Sequence, residues 1–177
     1  MPELVAPTVR LHAAWLAARD EWGPGLHEDG FGVGLSDDVH SPAGFAAWVT
    51  RLTDQADPTK PPESGRVRCT YRWIVEDDRV LGGIALRHEL NDRLRQLGHI
   101  GYGVRPSARQ RGLATWALGR MLVEARALGL ERVLIVCEAD NVASARTIER
   151  HGGELEGVQE TELGPARRYW VRLQCLA

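Results

Sequence analysis

The chain has 177 residues, with 22 basic and 24 acidic side chains and a net charge of −2 at pH 7. That length suits one domain with its own core, and the near-balance of charge lacks the basic surface that non-specific nucleic-acid binding needs. No segment approaches the roughly 20 apolar residues that cross a bilayer, and the start Met1-Pro2-Glu3-Leu4 lacks the basic-then-apolar layout of a signal peptide. In chain order, Val9, His12, Trp15, Leu16 and Arg19 recur at helical spacing and predict a helix over 8–21. A glycine-rich loop follows. Ser41 then reads as an N-cap with Pro42 at the first helical position. Phe45, Trp48, Val49 and Leu52 mark the buried stripe of this second helix. Pro58, Pro61, Pro62 and Gly65 make 54–66 a loop. The runs 70–76 and 80–88 are expected strands joined as a hairpin at Asp77-Asp78. A further strand covers about 99–105, and Gly101, Gly103 and Pro106 should make it bulge or splay near Val104. Ala114, Leu118, Met121, Leu122 and Ala125 give the inner face of a third helix that stops near Gly129. The apolar run 132–138 suits a central strand, 142–151 a fourth helix, and the tail two more strands. The order ααβββαβαββ predicts an α/β (α+β) fold, a mixed sheet with helices on both faces.

Cys69, Cys137 and Cys175 are odd in number and widely spaced, which points to reduced thiols in a cytoplasmic protein and away from a disulfide or zinc framework. No metal site is expected. Lys60 is the only lysine, a trait of base composition rather than chemistry.

The segment from Gly101 to Thr115 carries the most chemistry. It reads as a strand, a proline break and a short basic turn whose glycine runs straight into a helix. The first amides of that helix have no internal partners and lie at the positive end of its dipole, which suits an anion. Arg109 and Arg111 flank the turn and add charge. A diphosphate is the natural guest. Gly112 lets the backbone approach it and takes a positive φ cheaply. Downstream come a helix, an apolar strand, and Asp140-Asn141-Val142-Ala143-Ser144 leading to Gly152-Gly153.

With these features the chain resembles the GNAT superfamily of acyl-CoA N-acyltransferases. That family carries a turn written [Gln/Arg]-x-x-Gly-x-[Gly/Ala], and Arg109-Gln110-Arg111-Gly112-Leu113-Ala114 fits every position. Asn141 and Gly152 fit a second family motif, although Gly153 stands where an aromatic is usual. The resemblance covers roughly residues 70 to 175, and the segments LRHELN, GHIGYGVRPS, CEADNVAS and RYWVRL look like a bacterial branch of acetyltransferases. It implies a single domain over 1–177, with 1–66 a helical acceptor-side region and 67–177 a cofactor-binding core around a centrally splayed sheet. It also implies acetyl-CoA as co-substrate. The pyrophosphate would lie on the amides of Arg111, Gly112, Leu113, Ala114 and Thr115, beside Arg109 and Gln110. The Val104 backbone would hold the acetyl carbonyl and act as an oxyanion donor. Asn141 would bind the pantetheine arm, with Ser144 a weaker contact; an Asx cap is an equally good role for Asn141.

Acetyl transfer needs a neutral amine, and an alkylammonium with a pKa near 10 is only about 0.1% neutral at pH 7. A base is therefore expected. Glu138 ranks first, at the end of its strand on the face of Val136; His88 is second, its ordinary pKa suited to the task; His99 is third. His151 is explained by a helix C-terminus, and Cys137 as a buried thiol. Many members of the family use a tyrosine seven residues after the asparagine as the acid. Here that position is Ile148, so direct thiolate departure, Tyr102 or Tyr169 must be considered. Asp20, Glu21, Glu28, Asp29, Asp37 and Asp38 could form an acidic lip for a cationic amine, such as a polyamine or a basic antibiotic. A solvated loop explains them equally. Trp15, Trp22 and Trp48 could line the acceptor pocket, although the spacing of Trp15 and Trp48 suits a core.

The leading reading is an N-acetyltransferase acting on an amine-bearing substrate, with no nucleic acid, no membrane, and a monomer or homodimer as the assembly. Its rivals are an acyltransferase with another acyl-CoA donor or an O-acceptor, and a non-catalytic acyl-CoA sensor, which Ile148 alone supports. A P-loop protein ranks last, because Leu113 and Ala114 stand where Lys and Ser/Thr belong.

Overall fold

The computed structural model describes residues 1–23 and 30–173. The candidate acidic residues Glu28 and Asp29, and Cys175, lie outside them. The elements are β1 (Glu3–Val5), α1 (His12–Asp20), α2 (Pro42–Ala56), β2 (Cys69–Glu76), β3 (Arg79–Arg87), β4 (Ile100–Val104), α3 (Leu113–Ala127), β5 (Arg132–Glu138), α4 (Val142–Glu149), β6 (Glu154–Thr161) and β7 (Gly164–Arg172), with short 3-10 turns at Val9–Leu11, Leu94–Gln96 and Pro106–Ala108. They form a seven-stranded sheet in the order β1-β2-β3-β4-β5-β7-β6, in which only β4 and β5 run parallel.

The expected element order holds with one addition. β1 pairs antiparallel with β2, Leu4 opposite Ile74. A strand of three residues, Glu3–Val5, is too short for a period of two to register in the sequence. The first helix is also shorter than 8–21, because residues 9–11 wind as a 3-10 turn capped by Thr8. At α2 the cap is as the sequence implies: Ser41 Oγ accepts from Gly44 N at 3.0 Å. Asp77 and Asp78 close the β2–β3 hairpin with φ of 50° and 57°, the paired left-handed conformation that matches strand twist in two-residue loops.

Each face of the sheet buries its own core. On one side α1 and α2 pack Trp15, Phe45, Trp48 and Leu52 against Trp73 of β2, all of them buried. On the other α3 and α4 pack Leu118, Met121 and Ile148 against Ile84, Ile100, Ile135 and Tyr169. These faces are the apolar stripes the sequence shows, and burying each such side chain contributes about 1.5–3 kcal/mol. Trp15 and Trp48 thus belong to the core.

The sheet opens between β4 and β5. Their pairing is confined to Ile100 opposite Ile135, whereas β4 pairs with β3 along its whole length. The opening starts directly after Ile100, earlier than the expected break near Val104. A Cβ on Gly82 would stand 2.2 Å from the Gly103 carbonyl oxygen, so glycine here permits close β3–β4 approach. The closed end is held by His99, whose backbone N–H donates to Leu134 O at 2.7 Å while its ring Nδ1 accepts from Leu134 N at 2.9 Å.

Candidate functional site

Beyond β4 the chain turns through Pro106–Ala108 and enters α3 by two left-handed residues, Gln110 (φ 61°) and Gly112 (φ 74°). Gly112 is the N-cap, and no side chain caps the helix. The amides of Leu113, Ala114 and Thr115 therefore point outward without intrahelical acceptors. A Cβ built on Gly112 meets no atom within 4 Å, so the space in front of these amides is open to a ligand. Arg109 leans back to donate from Nε to Val104 O at 3.0 Å. Arg111 turns away: its guanidinium binds Glu76 of β2 at 2.6 Å, and its backbone alone belongs to the turn.

Strand register defines the groups that face the opening. Arg105 N donates to Leu81 O, so the odd residues of β4 bond β3 and the even residues face β5. Past Ile100 these are the N–H and C=O of Tyr102 and the N–H of Val104. Two cavities meet here. One, of about 600 Å³, runs from Val104 over the turn to α4; the other, of about 430 Å³, lies between β5, the β6–β7 turn and residues 96–97. Trp22, Tyr102, Arg109, Asn141 and Ser144 line both. The larger holds three arginines and no carboxylate among its described lining residues, a cationic surface on a net acidic chain. In the smaller, Glu138 is the only carboxylate among those residues.

At the junction Asn141 caps α4, its Oδ1 accepting from Ser144 N at 3.0 Å, which leaves the amide nitrogen for a ligand. The Tyr102 hydroxyl lies 2.8 Å from Ser144 Oγ. Burial pushes the Tyr102 phenol up to about 12, so it stays protonated through the physiological range and can donate. The same burial raises the Cys137 thiol, which suits a buried thiol rather than a nucleophile.

The candidate bases separate. Glu138 is exposed at the end of β5, opposite Ala166 of β7, in the smaller cavity. His88 lines neither cavity. It stands at the far end of β3, Nε2 at 2.8 Å from Thr70 Oγ1, and burial lowers its pKa. His99 is the clamp at the closed end, held neutral by burial at about 4. His151 bonds Thr115 O at 2.7 Å and ties α4 to α3. Ile148 points into the core with no exposed surface and lines neither cavity. Tyr169, buried in that core, donates to the exposed Glu149 at 3.0 Å.

Three of the acidic-lip residues make contacts within the chain. Glu21 binds Arg105 and Ser107, Asp37 pairs with Arg51 at 2.6 Å, and Asp38 bonds the backbone and hydroxyl of Ser41. Sequence reasoning did not reach Arg146 of α4, Arg150 at its C-cap, or the β6–β7 turn around Leu163 and Pro165, all of which line the cavities. The arginines look like solvated helix residues. The turn lies about ten residues beyond Gly153, and nothing local marks it. No helix among the described residues is long and apolar enough to cross a membrane.

No curated protein matches the sequence. Among solved structures the chain is similar to the microcin C7 self-immunity acetyltransferase MccE in complex with acetyl-CoA and AMP, at 17% identity and a TM-score of 0.69, over 97% of this chain and 92% of that one. It is likewise similar to the ribosomal-protein-S5-alanine acetyltransferase of Vibrio fischeri, at 14% and 0.72 over 99% and 94%, and to Mycobacterium smegmatis RimJ in complex with CoA-disulfide, at 20% and 0.69 over 97% and 81%. Identities this low speak for the fold alone. The family model described as the acetyltransferase (GNAT) domain matches residues 36–154. That span takes in the open turn before α3, both sides of the split sheet and the Asn141 cap, and it shows that the chain belongs to the GNAT acetyltransferase family.

Proposed function

We propose that the protein is an acetyl-CoA-dependent N-acetyltransferase whose acceptor is a primary amine on a small or peptidyl body. One observation carries the reading: a cationic, carboxylate-free cavity and a smaller cavity with a single carboxylate meet in the opening of the sheet, at Tyr102, Asn141 and Ser144. The turn amides of residues 111–115 would hold the pyrophosphate, at about 1.5–3 kcal/mol for each hydrogen bond to a charged group. Arg109 and Gln110 stand beside it. The Asn141 amide nitrogen and the even-residue edge of β4 would take the arm of the donor, which brings an activated acetyl group to the junction. Tyr102 lines both cavities and Val104 only the larger. The Tyr102 N–H therefore joins the Val104 N–H as a donor to the carbonyl oxygen as charge develops there.

Glu138 is the base in this reading. It would take the ammonium proton of an amine entering the smaller cavity, directly or through water. The Tyr102 hydroxyl would donate a hydrogen bond to the departing sulfur. With its pKa near 12, against about 8.5 for an ordinary thiol, it stabilises the thiolate without surrendering its proton. Trp22, Leu163 and Pro165 give the acceptor cavity apolar walls, and Glu21, Asp37 and Asp38 are engaged elsewhere, so an uncharged body is favoured over a polyamine or cationic antibiotic. The sensor reading loses its support, because Ile148 faces the core and its lack of a hydroxyl says nothing about the opening.

The test is Glu138→Gln, assayed by thiol release against a library of amines. Turnover is expected to fall about 10²–10⁴-fold, less at high pH where more amine is free, with acetyl-CoA affinity unchanged. A pH–rate profile matching the parent would remove Glu138 from the role.

A further inference from the structure

Arg146 of α4 and Arg150, the C-cap that still has helical backbone angles, are exposed and four residues apart, so their side chains leave the same face about 6 Å apart along the helix axis. Both line the larger cavity. Neither makes a side-chain hydrogen bond or ion pair among the described residues, in contrast with Arg72, Arg105, Arg111 and Arg168, each of which has a carboxylate partner. The face they share is fixed against the turn. Thr147, between them, has its Oγ1 3.4 Å from Thr115 Oγ1, and His151, next after Arg150, binds Thr115 O at 2.7 Å. Two unpaired guanidiniums are thus held beside the N-terminus of α3, in a cavity without a carboxylate.

Resting on the acetyl-CoA reading, we infer that Arg146 and Arg150 form a second anion subsite, specific for a phosphate monoester: the 3′-phosphate on the ribose of the cofactor. The turn amides already suffice for a diphosphate, and a second cationic group one element away needs a second anion. A phosphate monoester carries a charge of about −1.5 to −2 at pH 7 and three acceptor oxygens, and a pair of arginine forks matches that geometry better than point charges do. The subsite would make the protein discriminate CoA from dephospho-CoA, which differ in this phosphate alone.

Calorimetry with CoA and dephospho-CoA tests it on the parent, on Arg146→Gln/Arg150→Gln and on Gly112→Asp. The parent is expected to bind CoA at least tenfold more tightly than dephospho-CoA. The double variant should bind the two within about twofold of each other while keeping the dephospho-CoA affinity of the parent, and melting curves should show it folded. Equal affinity of the parent for both ligands, or a double variant weakened equally toward both, would overturn the subsite and leave the cofactor reading standing. Binding of neither ligand by the parent would overturn both. Gly112→Asp should lose both ligands together, which separates the turn from the subsite.

Discussion

Glu21→Gln tests the joint on which the opening hangs. The Glu21 carboxylate accepts from Arg105 Nε at 2.9 Å and from Arg105 Nη2, and from the Ser107 backbone and hydroxyl at 3.1 and 3.0 Å. It thereby ties the end of α1 to the exit of β4. The Arg105 side chain is only 8% exposed, that of Glu21 29%. Hydrogen bonding to Arg105, ahead of any other influence, lowers the Glu21 carboxyl from its ordinary 4.5 to about 2. Taken whole, that difference corresponds to about 3 kcal/mol; solvent screening of a carboxylate nearly a third exposed reduces it to about 1–2 kcal/mol. A chain of this size should then lose about 2–8 °C of melting temperature at pH 7. Because the folded pKa lies below the unfolded one, the stabilisation is complete above about 4.5 and drains away as the pH falls toward 2. At pH 3, two-fifths of the way up that interval, roughly 40% of it remains. Thermal melts of parent and variant at pH 7, 4 and 3 should show the gap narrowing in that proportion. A gap as wide at pH 3 as at pH 7, or none at pH 7, refutes the ion-pair account.

The other substitutions bear on the opening itself. Gly112→Asp sets a carboxylate before the turn amides at a left-handed residue; acetyl-CoA should no longer raise the melting temperature, while Gly112→Ala, about 1 kcal/mol less stable, should keep most of the effect. Equal stabilisation of parent and Gly112→Asp by acetyl-CoA would move the pyrophosphate elsewhere. Tyr102→Phe should lower kcat by about tenfold or more, the worth of a hydrogen bond to a charged group. The profile should show no Tyr102 ionisation below pH 10, since that group titrates near 12; an unchanged kcat would discard the hydroxyl. Ile148→Tyr should behave as an overpacked core, losing about 1–3 kcal/mol and gaining no rate, and a tenfold gain without loss of stability would show that the position reaches the reaction after all.

The open turn before α3 was legible because its information is local. Turn amides, flanking arginine and glycine are consecutive residues, and helix-end electrostatics attach to such a string wherever it folds. The facing of Ile148 was legible too, since Ala145 and Ile148 repeat at the spacing of a buried stripe, but the family comparison drew attention to what the residue lacks rather than to where it points. The contacts made by the first sixty residues were not legible. Glu21 lies 84 residues from Arg105, and a carboxylate at a helix end looks the same whether it is solvated or holding a buried guanidinium. His99 misled for a related reason: its ordinary pKa suits a base, whereas burial and its bond to Leu134 make it part of the backbone ladder.

That substitution of a side chain for a strand explains how an opening survives inside a sheet. Unpaired strand edges invite another strand, and unpaired buried backbone groups cost stability. Here His99 satisfies Leu134 at the closed end and Arg109 satisfies Val104 O at the open end. On β4 the unpaired groups are reduced to a few on Tyr102 and Val104, and across the opening the N–H and C=O of Val136 on β5 face them. Their neighbours β3 and β7 are paired in place, so the open edges belong to β4 and β5 alone. A ligand that enters must be narrow, must present its own amide donors and acceptors along one edge, and must carry its negative charge at the end nearest α3. A pantetheine arm joined to a diphosphate meets all three conditions, and a peptide strand fails the first and the last.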